Sequence, residues 1–153
     1  MLFRSLSDKF IGSAKVRLAN VTALNDKDVK LSDRIFALPS DLRGFEPRGV
    51  GPLDGADHIG GNNLATLSLK STFPNPIPEN LRATTFLFLD VGNVWGVDYS
   101  NSISDSSKLR SSTGIALDLM SPIGPLSFTY SIPLSKASSD KEQNFLFNIG
   151  SSF

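Results

Sequence analysis

The chain has 153 residues, with 15 Lys and Arg against 15 Asp and Glu, one His and no Cys, so its formal net charge is zero. That length sets a ceiling of one domain, and the charge balance leaves no positive excess to displace counterions from a nucleic-acid backbone. Without Cys the chain has no disulfides and no thiolate zinc or iron–sulfur site.

Taken in chain order, the N-terminus does not read as a signal peptide, because Arg4, Asp8 and Lys9 interrupt any apolar core. Ala14 to Leu24 reads as a strand. Residues 25–61 form a long polar connection, within which Val29 to Leu38 alternates poorly and is open to either a strand or a loop reading. Asn62 to Phe73 places Ala65, Leu67, Leu69 and Phe73 opposite Thr66, Ser68, Lys70 and Thr72. Arg82 to Trp95 sets Leu87, Leu89 and Val91 against Asp90 and Gly92. Arg110 to Leu119 sets Ile115, Leu117 and Leu119 against Arg110, Ser112, Gly114, Ala116 and Asp118. In Leu126 to Leu134 the apolar face is Leu126, Phe128, Tyr130, Ile132 and Leu134. From Gln143 onward it is Phe145, Phe147, Ile149 and Phe153. Period two of this kind is the signature of a strand with one apolar and one polar face. No stretch gives a helix of three turns, and none supplies the about 20 consecutive apolar residues of a spanning helix. The longest uncharged stretch, residues 119–139, is broken by Pro122, Pro125 and Pro133.

The connections alternate in length. Pro74 to Leu81 and Ser121 to Pro125 are short, whereas residues 25–61, 97–109 and 135–142 are longer and polar. Short turns at one end and long loops at the other suit an outer-membrane barrel whose strands are about the length needed to cross at a tilt. An up-and-down soluble β-domain is the alternative, with the apolar face turned inward. The nearly continuous polar faces and the aromatics at strand ends favour the membrane reading.

Several motifs occur in order. Leu42-Arg43-Gly44-Phe45 is followed by Gly49-Val50-Gly51-Pro52 and Gly60-Gly61-Asn62. Then come Phe86-Leu87-Phe88-Leu89-Asp90-Val91-Gly92-Asn93-Val94-Trp95, Arg110-Ser111-Ser112-Thr113-Gly114 and Ser121-Pro122-Ile123-Gly124-Pro125-Leu126. The ending is Phe145-Leu146-Phe147-Asn148-Ile149-Gly150-Ser151-Ser152-Phe153. Over residues 30–153 this series resembles the BamA-type outer-membrane assembly factors of the bacterial surface antigen superfamily. The resemblance implies an all-β fold: an antiparallel up-and-down transmembrane β-barrel segment of about six C-terminal strands, a curled open sheet forming an incomplete barrel. Residues 1–153 would be the C-terminal part of the barrel domain, with 25–61 as its long Arg-Gly-Phe loop. The POTRA domains and the first barrel strands would be absent, so incompleteness is expected.

The resemblance also implies a location and partners. The chain would lie in the outer membrane of a Gram-negative bacterium, in contact with outer-membrane lipid and unfolded outer-membrane proteins. It would reach assembly-complex lipoproteins through the missing POTRA domains. The implied activity is barrel-protein assembly and insertion, without cofactor, metal, nucleic acid or enzymatic chemistry. A polypeptide secretion pore of the same superfamily, or a truncated or split gene product without independent activity, are the alternatives.

By the same resemblance, Arg43 folds into the lumen and meets an acid on the inner wall. Asp90, on the polar face of its strand, is the proposed partner, since a guanidinium fork can hold a carboxylate in fixed geometry. Gly44 would let the loop backbone approach closely and Phe45 would pack as an apolar plug. Where relatives carry a second, lumen-facing glutamate, this chain has Ser68, which makes inward-facing Asp118 a candidate substitute partner. Where many relatives have a glycine-rich run before Arg-Gly-Phe, this chain has Ala37-Leu38-Pro39-Ser40. Phe145, Phe147, Ile149, Gly150 and Phe153 resemble the C-terminal β-signal, an edge strand able to accept another by augmentation.

Sharper chemistries find little support. His58 beside Asp54 and Asp57 is a weak metal set against an ordinary solvated loop. Gly49, Gly51, Gly60 and Gly61 lack the Gly-Lys-Ser/Thr element of a phosphate loop. No Gly-x-Ser-x-Gly elbow accompanies the plentiful serines.

Overall fold

The computed structural model describes residues 2–7, 10–24, 27–74, 82–98, 103–105 and 107–150. Seven antiparallel strands follow one another as a meander: β1 (Leu2–Ser7), β2 (Phe10–Asn20), β3 (Asn63–Phe73), β4 (Thr84–Trp95), β5 (Arg110–Ser121), β6 (Gly124–Ser135) and β7 (Phe145–Ile149). All six strands expected from the alternation lie in this sheet, and β1 adds a seventh at its edge. Its residues carry no clean alternation that would have announced it. Val29 to Leu38 is loop: it holds one 3-10 turn, Leu31–Asp33, and a single bridge from Ile35 to Gly61.

The sheet is open. Among the described residues β1 pairs only with β2 and β7 only with β6. The β5–β6 hairpin is tight, with Ser121 opposite Gly124. The other expected short connection, Pro74 to Leu81, falls on residues 75–81, outside the described residues, as does the C-terminal Phe153.

Burial inverts the pattern of a soluble protein. Val16, Leu18, Leu67, Leu69, Leu87, Leu89, Ile115, Tyr130, Ile132 and Leu134 are exposed, whereas Thr66, Ser68, Asp90, Ser112, Thr129 and Ser131 on the opposite face are buried. A row of outward apolar side chains is a liability in water and an advantage in hydrocarbon. The inner face is not uniformly polar, however. Leu64 and Val94, paired across β3 and β4, join Ala37, Leu42, Phe45 and Val50 of the long loop in one buried cluster. These apolar positions break the strand alternation because the loop covers them.

Candidate functional site: the loop on the inner wall

The inner wall is built by register. Lys15 of β2 lies opposite Ser68 of β3, Ser68 opposite Asp90 of β4, and Asp90 opposite Ser112 of β5. Side chains of directly opposed residues share a face. One row crossing four strands therefore presents an ammonium, a hydroxyl, a carboxylate and a hydroxyl.

The loop crosses that row. Arg43 donates from Nε to Asp90 Oδ2 at 2.7 Å and from Nη2 to Asp90 Oδ1 at 2.6 Å, a bidentate fork. Its backbone N–H reaches the same Oδ2 at 3.1 Å, and Nη2 also donates to Ser68 Oγ at 2.7 Å. The two side chains are 6 % and 0 % exposed. Beneath the guanidinium lies the Phe88 ring, 3.8 Å from Cζ to centroid. Phe86 and Phe88 thus turn inward although their neighbours Leu87 and Leu89 face out. A buried arginine over an aromatic face, with its fork filled by a carboxylate, is held far more rigidly than a lysine would be.

Gly44 follows at φ +91°, a conformation that glycine adopts without strain. A Cβ there would stand 3.2 Å from Ser112 Cβ and 3.3 Å from Ser131 Cβ, so the backbone rests directly on β5 and β6. Gly44 and Phe45 then pair antiparallel with Gln143 and Glu142, just before β7. Phe45 is buried in the apolar cluster with Leu64 and Val94. Gly114 serves the wall itself: a Cβ would lie 2.0 Å from the Tyr130 carbonyl oxygen and 2.8 Å from the Phe88 ring.

Ser68, which replaces the acid expected at its position, does contact Arg43, but as a neutral acceptor. Asp118 does not serve as the substitute partner. It faces inward, yet its carboxylate accepts from Ser127 Oγ at 2.5 Å and makes no ion pair with Arg43. Ser127 is its register partner on β6, so the nearest donor on the same face takes it. Both residues line a small crevice with Arg43, Lys70 and Asn148.

Two charged features escaped the sequence reading. Asp41, fully buried, receives Lys15 Nζ at 3.2 Å, Arg17 Nη1 and the Leu38 N–H at 3.2 Å. The signal was there: Lys15 and Arg17 share the inward face of β2, and two cations at that spacing call for an anion. Arg110, also fully buried, forks onto Asp140 with both contacts at 2.9 Å and also donates to Asn93. That pair ties the β6–β7 connection to the wall. His58 of the long loop reaches the β6–β7 connection, its Nδ1 3.2 Å from the Gly51 carbonyl oxygen and Nε2 3.1 Å from that of Ser139.

Of the terminal positions, Phe145, Phe147 and Ile149 point outward and are exposed. Phe147 stacks at 4.8 Å on Phe128, its partner across β6. Gly150, at φ +114°, donates its N–H to the Pro125 carbonyl at 2.9 Å, closing the ladder at the turn end.

The Omp85 superfamily domain matches residues 2–153. The chain is 32% identical over 141 residues to the outer membrane protein assembly factor BamA of Neorickettsia risticii, covering 90% of this chain and 19% of that protein. To the sorting assembly machinery 50 kDa subunit of Saccharomyces cerevisiae it is 30% identical over 144 residues, 89% of this chain and 30% of the relative. The crystal structure of BamA from Haemophilus ducreyi lacking POTRA domains 1–3 superimposes with a TM-score of 0.84 at 30% identity. That match covers 95% of this chain and 32% of the other. The chain therefore spans between about a fifth and a third of the length of these relatives.

Proposed function

Because this chain belongs to the Omp85 superfamily, we propose that it acts in the assembly and insertion of outer-membrane β-barrel proteins. The sheet is an outer-membrane β-barrel segment of the BamA type. In our reading it forms the C-terminal part of the barrel, and strands from elsewhere are needed to cover its two edges, since unpaired backbone groups in hydrocarbon cost several kcal/mol each.

The observation that carries the proposal is the buried Arg43–Asp90 fork, which holds a long loop across the inner wall of an open sheet. A loop fixed there sets the shape of the lumen beside the last strand. We assign Arg43, Gly44 and Phe45 to that anchoring. Strand β7, with Phe145, Phe147 and Ile149 outward, is the edge at which a client strand would be templated by backbone pairing. Client barrel proteins and membrane lipid are the proposed partners. Assembly lipoproteins would be engaged through domains beyond this chain. Strand exchange of this kind makes and breaks hydrogen bonds only, and it needs no cofactor or covalent step.

Substituting Asp90→Asn in cells that depend on this gene tests the reading. Folded, heat-modifiable barrel proteins should fall across the outer membrane while their unfolded forms accumulate. If folded barrels stay at their usual level and a single exported polypeptide disappears from the medium, secretion is the function instead.

A further inference from the structure

The geometry points to Asp41 as a second positioning residue of the loop, one that selects where along the wall the loop docks by carrying the charge opposite to Arg43. The charges on the two sides are matched in order. Along the loop run Asp41, Leu42, Arg43 and Gly44; along the row beneath run Lys15, Ser68, Asp90 and Ser112. Asp41 meets Lys15 and its neighbour Arg17, Arg43 meets Ser68 and Asp90, and Gly44 rests on Ser112.

The Arg43–Asp90 fork and the pairing of Gly44 and Phe45 hold the loop over β4 to β6. The Asp41 pair, two strands from Asp90, extends that hold to β2. It also penalises misplacement: slid toward β2, Arg43 would face Lys15 and Arg17, and slid toward β4, Asp41 would face Asp90. Specificity of this kind comes from repulsion in the wrong register as much as from attraction in the right one. The arrangement is also asymmetric in solvent exposure. The Asp41 carboxylate is completely buried while Lys15 and Arg17 are about one-third exposed. The cations belong to the wall and the loop brings the anion down to them. Between the two anchors, Leu42 enters the apolar cluster, so the segment is held by charge at either side and by burial in the middle.

The link from loop placement to barrel assembly rests on the function proposed above, but the docking itself does not. It can be read in membranes carrying the whole protein, by the rate at which an arginine-specific protease cleaves after Arg43, a bond protected while the loop lies on the wall. Asp41→Asn should raise that rate about ten-fold or more, since the two cations of β2 lose the anion that the docked loop brings to them. Asp41→Glu should restore protection. So should the reversed set Asp41→Lys with Lys15→Asp and Arg17→Asp, whereas Asp41→Lys alone should be cleaved fastest. The reversed set keeps the proposal testable if a single variant fails to accumulate. Unchanged cleavage in Asp41→Asn, or a reversed set cleaved as fast as Asp41→Lys, would overturn it. A loop released by Asp41→Asn with barrel assembly undiminished would leave the docking role standing and count against the assembly function.

Discussion

The two faces of the same strands are organised by opposite rules. The outer face of β2 to β6 carries Val16, Leu69, Leu89, Ile115 and Ile132 without a charge among them, and it is exposed. The inner face carries Lys15, Arg17, Lys70, Asp90, Arg110 and Asp118, and much of it is buried beneath a loop. A soluble sheet would spend its apolar side chains on the inside. Here the membrane takes the apolar face, so the interior can be built from charges, provided that each is paired. The loop supplies that pairing for Asp90 through Arg43, and for Lys15 and Arg17 through Asp41.

The largest expected effect comes from breaking the inner rule. Arg43→Ala leaves Asp90 buried without its fork and should cost about 3–5 kcal/mol in urea unfolding of the membrane-reconstituted protein. Arg43→Lys should recover part of the loss, because it returns the charge but not the second parallel bond. Breaking the outer rule comes next. Leu89→Arg should cost about 2–4 kcal/mol in a bilayer. In a water-soluble β-domain that exposed position would accept arginine at almost no cost, so the same unfolding measurement separates the two environments. A smaller effect is expected where the loop backbone meets the wall: Gly44→Ala should cost about 1–3 kcal/mol from its positive φ, aggravated by the Ser112 and Ser131 contacts. The smallest belongs to Asp118→Asn, about 0.5–1.5 kcal/mol, because an amide oxygen still accepts from Ser127. A loss as large as that of Arg43→Ala would mean that Asp118 supports the arginine after all.

Strand positions and their inward and outward parity were legible because alternation is local: Leu87 and Leu89 against Asp90 needs no knowledge of partners. Arg43 and Asp90 could be matched only through resemblance, since nothing local joins residues so far apart in the chain. The same limit explains the misassigned partner of Asp118. Parity placed it on the inner face, but register then put Ser127 directly opposite, and register depends on the turn at residues 121–124. Asp41 was overlooked for a related reason. An acid in a polar loop looks solvated until the loop is known to lie on the Lys15 and Arg17 side chains of β2. Strand β1 was hidden by its composition, since Leu2 to Ser7 is interrupted by Arg4 and shows no clean alternation.

In this protein the apolar face meets lipid and the charged face holds the loop. Spin labels at Leu69, Leu89 and Ile132, compared with labels at Thr72, Ser127 and Asn148, test it most directly in the membranes that carry the protein. We predict that the first three relax fastest with oxygen, which partitions into lipid, and the second three with a water-soluble nickel complex. The reverse pattern, or equal access of the nickel complex to both sets, would mean that lipid does not cover the apolar face.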